Sequence, residues 1–130
     1  MYYCRQTKKI DVSNADFSTA TNATNINMFK DCDALTDLYL KENGSPATSQ
    51  DISKSPLTYD SMLRVAGWLK DLTGQESKNV TFKQSAYNDL LTPKEKATLT
   101  PEQQATLIAD RQATLYDIIH VQKNWELLTA

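Results

Sequence analysis

His120 is the only histidine in the chain, and two side chains that could assist it lie close by in the sequence. On a helix, Asp117 and Tyr116 would each lie within about one turn of the imidazole. An aspartate beside a histidine is the arrangement that orients a general base. No serine or cysteine nucleophile lies at a motif spacing from this pair, so the sequence favours an ordinary, partly exposed histidine.

Three aspartates, Asp31, Asp33 and Asp37, are the nearest approach to a metal-binding cluster. On a helix, Asp33 and Asp37 would share one face, and Asp31 would point elsewhere. The glycine and the terminal glutamate of an EF-hand are missing at their required offsets. Two cysteines and one histidine cannot supply four zinc ligands, and no glycine-rich phosphate loop is found. We therefore expect no metal and no other cofactor.

The two cysteines, Cys4 and Cys32, are expected to be free thiols, because disulfides persist mainly in oxidising compartments. The N-terminal sequence has no apolar segment typical of a signal peptide. No stretch approaches the roughly 18 consecutive apolar residues of a membrane-spanning helix. These features predict a cytoplasmic protein without membrane contact, located in the host cytoplasm or in the virion if the chain is phage-encoded.

Composition favours a helical protein over a nucleic-acid-binding or β-rich one. Lys and Arg number 14 and Asp and Glu number 16, for a net charge of −2, whereas a large nucleic-acid footprint normally needs a basic excess. Three glycines and four prolines are too few for the many turns of an all-β fold. Nucleic acid is therefore not an expected partner.

The chain divides into a polar N-terminal arm, residues 1–27, and a helical domain, residues 28–130. The arm could hold a short strand within residues 2–10, and a polar linker at 43–57 interrupts the domain. Apolar spacing predicts helices over residues 28–42, 59–73 and 83–91, with Thr58 capping the second. Residues 80–82 form either a short strand or an extended link.

A local repeat, Leu-Thr-Pro followed by Glu or Gln two residues later, gives the clearest signal in the chain. Thr92 and Thr100 would each cap a helix, with a proline at the first helical position and an acceptor side chain at the third. The first cap starts one short turn. The second starts a helix that continues to Leu128, because no glycine or proline interrupts it.

The predicted fold is mainly α, a small irregular bundle of three to four helices with a long C-terminal helix, a polar arm and at most one short β pairing. At 1.5 Å per residue, the last helix would extend about 45 Å, which is longer than the core of a chain of this size needs. Either the other helices cover its apolar face, or part of that face docks on another chain. In the second case its C-terminal half is the predicted docking surface, with four residues that we expect to contact a partner: Ile118, Val121, Trp125 and Leu128.

The expected function is a non-enzymatic protein–protein interaction, because no catalytic arrangement is found and the arm, the linker and the long helix all need partners. Small acidic helical proteins are frequent among phage-encoded factors, which suggests a virion assembly or structural subunit, in a homo-oligomer or larger assembly. One alternative is an inhibitor that docks on a host nucleic-acid enzyme, such as a defence nuclease, through the acidic residues Asp31, Asp33, Asp37 and Glu42. A second alternative is a DNA-binding regulator.

Overall fold

The computed structural model describes residues 6–14, 29–46 and 48–130, and these contain both helices and strands. In chain order the elements are β1 (Lys9–Val12), β2 (Asp37–Leu40), β3 (Gln50–Ile52), α1 (Tyr59–Trp68), β4 (Asn79–Phe82), α2 (Gln84–Tyr87), α3 (Pro93–Thr98), α4 (Pro101–Tyr116), a π-helix (Asp117–Gln122) and β5 (Glu126–Thr129). The predicted mainly α bundle is therefore wrong, because five strands form two sheets and the protein is α/β.

Every strand pair in the described residues is parallel. Strand β1 pairs with β2, and the second sheet has the order β3-β4-β5. Parallel strands need a crossover connection, usually a helix. Helix α1 provides the crossover from β3 to β4, and the segment from α2 through the π-helix provides the one from β4 to β5. In the central strand β4, Val80 and Phe82 are fully buried.

The predicted helix over residues 28–42 is replaced by a turn and a strand. Asp31 has a φ of 63°, a left-handed conformation that cannot continue an α-helix. In β2, Leu38 and Leu40 are buried whereas Asp37 and Tyr39 are partly exposed, which is the alternation of a strand. The apolar positions of this segment suit a helix and a strand almost equally, and pairing with β1 decides between them.

Helix α1 begins where the sequence predicts. The Thr58 hydroxyl accepts a hydrogen bond from the Ser61 N–H at 3.2 Å. The helix ends at Trp68, earlier than expected. It lies along β2, where the Ser61 hydroxyl accepts from the Leu38 N–H and donates to the Thr36 carbonyl, both at 3.0 Å. These bonds satisfy backbone groups along β2 that would otherwise be exposed at a sheet edge.

The predicted linker at 43–57 contains strand β3 instead of only irregular chain. At the start of the 43–57 segment, Gly44 closely approaches the ring of Trp68. A Cβ atom on Gly44 would lie 2.5 Å from Cδ1 of Trp68, nearer than real Cβ contacts allow. Glycine at this position therefore lets the chain cross directly over the indole.

Both Leu-Thr-Pro corners form the caps that the sequence predicts. The Thr92 hydroxyl accepts from the Glu95 N–H at 3.2 Å, and the Glu95 carboxylate accepts from the Thr92 N–H at 2.9 Å. Thr100 and Gln103 repeat this reciprocal pair at the same two distances. The two corners fix the starts of α3 and α4, and the predicted caps at Thr92 and Thr100 are confirmed.

The long C-terminal helix is shorter than predicted. Helix α4 ends at Tyr116, a π-helix follows, and the chain then turns into β5. Asn124 has a φ of 61°, and asparagine is one of the few residues that adopt this conformation at a helix end. The turn at Asn124 therefore returns residues 126–129 to the sheet, where β5 pairs with β4.

Candidate functional site

The four acidic residues proposed for an inhibitory face do not share a helix. Asp31 and Asp33 are exposed in the turn before β2. Asp37 begins β2 and accepts a hydrogen bond from the Thr36 hydroxyl at 2.9 Å, and exposed Glu42 follows the end of the strand. Asp37 is the first residue of β2 and Glu42 follows its last residue, Leu40, so these two carboxylates lie at opposite ends of the strand. The structure spreads these carboxylates along the strand.

Trp125 lies in the core and does not face a partner. Its side chain is fully buried, and its indole N–H donates to the Lys70 carbonyl at 2.7 Å. Ile118 is only partly exposed and packs against the same core. Of the four residues predicted on the docking helix, only Val121 and Leu128 therefore remain exposed.

Lys123 and Asn124, just before Trp125, hold the chain beyond the π-helix against the end of α1. The Lys123 ammonium donates to the Ala66 and Leu69 carbonyls at 2.8 Å and to the Gly67 carbonyl at 3.1 Å. The Asn124 amide donates to the Leu72 carbonyl at 3.1 Å. These carbonyls lie at and beyond the C-terminus of α1, where a helix leaves backbone acceptors without partners.

The exposed apolar side chains are concentrated in the C-terminal part of the chain. Val121 is 64% exposed, Tyr116 is 49% exposed and Leu128 is 44% exposed. Within the described residues these are the only large apolar side chains with that degree of exposure. We call this set, Tyr116, Val121 and Leu128, the C-terminal patch.

Contacts of His120 link Tyr116, one member of the C-terminal patch, to strand β5. The Tyr116 ring stacks on the His120 ring with their centres 4.8 Å apart. In a π-helix the backbone bonds join residues five apart, so Val121 lies one turn after Tyr116. His120 Nδ1 lies 3.8 Å from the Glu126 carboxylate, and Glu126 shares one face of β5 with Leu128. His120 therefore links Tyr116, at the start of the π-helix, to Glu126 on the face of β5 that also carries Leu128.

His120 supports the turn into β5 and does not form the aspartate–histidine pair suggested by the sequence. Its Nδ1 atom is 3.0 Å from the Trp125 carbonyl. Asp117 instead accepts a hydrogen bond from the Gln122 amide at 2.8 Å. The two hydrogen bonds hold the imidazole and the carboxylate in separate local structures.

Among the residues that the structure describes, strand β5 forms one edge of its sheet. The Glu126 N–H donates to the Lys78 carbonyl at 2.8 Å, and the Ala130 N–H donates to the Phe82 carbonyl at 3.1 Å. Along a strand, successive N–H groups point to opposite sides, so those of Leu127 and Thr129 point away from β4. The backbone of these two residues presents donors and acceptors beside the C-terminal patch.

A polar cleft of about 480 Å³ lies between α1, β2 and the α2–α3 segment. Two arginines stand over tyrosine rings in its wall: the Arg64 guanidinium is 4.1 Å from the centre of Tyr39, and that of Arg111 is 4.8 Å from the centre of Tyr59. The Arg64 guanidinium also approaches the Leu38 carbonyl at 3.4 Å. This arginine therefore helps to cover the edge of β2 and joins α1 to that strand.

Arg111 ties α4 to the first capped corner. Its guanidinium makes two hydrogen bonds to the Glu95 carboxylate, at 2.8 and 2.7 Å, and one to the Leu90 carbonyl at 2.6 Å. The hydrogen bonds from Arg111, followed by the one from the Thr92 N–H, lower the pKa of Glu95 from 4.5 to about 2. The donors of Arg111 are thereby directed at protein acceptors, which gives this part of the cleft a structural role.

Within residues 6–14, 29–46 and 48–130, no group of three or more His, Cys, Asp or Glu residues is placed to hold a metal ion. In the same ranges, no helix is long and apolar enough to cross a membrane. Cys4 lies outside the described residues. Cys32 is fully buried and disulfide-bonded, so the expectation of a free thiol is wrong for this residue.

The chain was compared with protein families, curated proteins and solved structures. None of the three comparisons found a match.

Two features of the candidate surface escaped sequence reasoning. The sequence indicates a role for Tyr116 only as a neighbour of His120, although its exposure makes it part of the patch. Strand β5 is not predicted, because the sequence pattern places residues up to Leu128 on a helix. Asn124 is the signal that could have revealed it, since asparagine often ends a helix in the left-handed conformation.

Proposed function

We propose that this chain is a non-enzymatic interaction protein that self-associates, as a subunit of a protein assembly, through the C-terminal patch. The single observation that carries the proposal is the exposure of three large apolar side chains, Tyr116, Val121 and Leu128, within residues 116–128. Single exposed apolar residues are common on proteins, whereas several of them favour association because docking removes them from water.

The π-helix gives this surface its shape and supports the same proposal. Helices of this type are rare and occur frequently at functional sites. Here the π-helix spans Asp117–Gln122 and carries Val121, the most exposed of the three patch residues.

The setting we propose is a phage particle or its assembly, as expected from the sequence. Of the two locations predicted, the virion is favoured over the host cytoplasm by the disulfide at Cys32. Disulfides persist mainly in oxidising surroundings, and virion surfaces are among them.

The proposal is tested by sedimentation velocity of the full chain over a range of concentrations. We expect the wild-type protein to associate as its concentration rises. Val121→Glu should weaken association by at least about tenfold, because a carboxylate would have to be buried in the contact.

Ala105→Glu is the matched control, since it adds the same charge at an exposed position early in α4, away from the patch. Its association should equal that of the wild type. A wild-type chain that remains monomeric at the highest soluble concentration would overturn the proposal, and so would equal association of the Val121→Glu protein.

A further inference from the structure

We propose that two copies of this chain pair through their β5 strands, antiparallel and about a twofold axis, with Leu128 of one copy opposite Leu128 of the other. This inference rests on the proposed function, because it specifies how self-association takes place. It adds a second surface, the edge of β5, to the C-terminal patch.

The backbone of β5 restricts the register of such a pair. Leu127 and Thr129 are the strand residues whose N–H and C=O groups point away from β4. In an antiparallel pair, outward-pointing residues must lie opposite one another to exchange hydrogen bonds. Placing Leu127 opposite Thr129 of the other copy satisfies both residues of both strands. If the register is shifted by two residues in either direction, only one pair of outward-pointing residues lies opposite one another.

The side chains are compatible with this register. On the face that carries the patch, Leu128 lies opposite Leu128, and exposed Glu126 lies opposite Ala130 instead of its own copy. No like-charged side chains are directly opposed. The two Leu128 side chains, each exposed in the single chain, cover each other. A second copy therefore fits the edge in both hydrogen bonding and charge.

The resulting assembly has a sheet of ordinary size. Two three-stranded sheets with the order β3-β4-β5 would join through β5 into one sheet of six strands, close to the usual number for globular proteins. A twofold axis perpendicular to the sheet keeps the same face up in both copies. The two C-terminal patches then lie on one face, on either side of the axis, as an isologous interface requires.

The register is tested by crosslinking the full chain carrying Leu128→Cys under mild oxidation. Residues opposite each other in a non-hydrogen-bonded antiparallel pair have Cα atoms about 4.5 Å apart, within the range that a disulfide spans. We expect a covalent dimer, and mass spectrometry should identify a peptide linked through residue 128 of both copies.

Glu126→Cys is the matched control on the same face of the same strand. In the proposed register its two copies are offset by four residues, about 13 Å along the strands, so they should not crosslink. Equal crosslinking at residues 126 and 128 would overturn the register. Absence of the 128–128 link in a chain that associates would overturn strand pairing.

A second pair of variants tests the backbone bonds. Thr129→Pro removes an N–H that points away from β4, and it should weaken association by at least about tenfold. Thr129→Ala keeps this N–H but loses, like the proline variant, the hydroxyl contact with Gln84. It should associate like the wild type. Circular dichroism establishes that both variants are folded.

The outcomes separate this inference from the proposed function. If the wild type associates and Val121→Glu disrupts association, but Thr129→Pro does not, the patch acts without strand pairing and only the inference is overturned. If the wild type is always monomeric, both are overturned.

Discussion

Lys123 stabilises a helix to which it does not belong. Its ammonium group reaches three carbonyls at the end of α1, those of Ala66, Gly67 and Leu69. Partial burial of the ammonium group lowers the pKa of Lys123. A cation at this end of a helix also interacts favourably with the helix dipole. One side chain near the C-terminus therefore completes an element formed more than fifty residues earlier.

Replacing Lys123 by methionine tests this role. Lys123→Met keeps an unbranched apolar stem and removes three donors, so we expect the free energy of unfolding to fall by about 2 kcal/mol. Urea-induced unfolding provides the measurement. Lys94→Met, at an exposed position in α3, is the control and should change stability little. A loss no larger than in this control would contradict the assigned role.

At the scale of elements, the ion pair between Arg111 and Glu95 joins α4 to the start of α3. Glu95 has two tasks, because its carboxylate caps α3 and also binds Arg111. Glu95→Gln separates them, since Gln103 performs the capping task unaided at the second corner of the same chain. The variant should keep α3 capped and lose the charge opposite Arg111.

The pH dependence of this link follows from the lowered pKa. Because the pKa of Glu95 is about 2 in the folded chain and 4.5 ordinarily, its contribution is complete above pH 4.5 and is lost as the pH falls towards 2. We expect the thermal midpoint of Glu95→Gln to lie below that of the wild type at pH 7. The difference should shrink between pH 4.5 and 2. A constant difference would contradict this linkage.

Elements whose signals are local could be predicted from the sequence, and elements that depend on distant partners could not. The caps at Thr58, Thr92 and Thr100 were found because their hydrogen bonds join residues three apart. The strand at residues 80–82 was one of two options for a β-prone segment, and the structure confirms it.

Strands β2 and β5 were missed because their apolar residues also fit a helical spacing. Leu38 and Leu40 pair with β1, and Leu127 pairs with β4, across long separations in the sequence. No local rule contains that information. The candidate surface was affected in the same way: Val121 and Leu128 were found as apolar residues near the chain end, while the burial of Trp125 depended on the turn into β5.

For the whole molecule, the parallel arrangement makes the C-terminal segment part of the core. Strand β5 completes the second sheet, and Trp125 is among the largest fully buried side chains in the described residues. Loss of a buried tryptophan alone typically costs about 3–5 kcal/mol, against a total stability of about 5–15 kcal/mol for a domain. The segment therefore has a structural role in completing the core.

Truncation after Gln122 distinguishes this structure from a helical bundle with a projecting helix. Removal of residues 123–130 takes away the Lys123 contacts, Trp125 and β5, so we expect loss of cooperative thermal unfolding and of near-ultraviolet circular dichroism. Leu128→Glu in the full chain is the control and should remain folded, because this side chain is exposed. An unchanged melting curve of the truncated chain would contradict the integration of β5.

The contact between Gly44 and Trp68 has a consequence for tracing the ancestry of this chain. Any side chain at position 44 would meet the indole at 2.5 Å, so the two positions constrain each other across 24 residues of sequence. Homologues that retain a large ring at the second position should retain glycine at the first, and those that lose the ring should lose the restriction. This paired substitution pattern offers a fingerprint for distant relatives that overall similarity does not reveal.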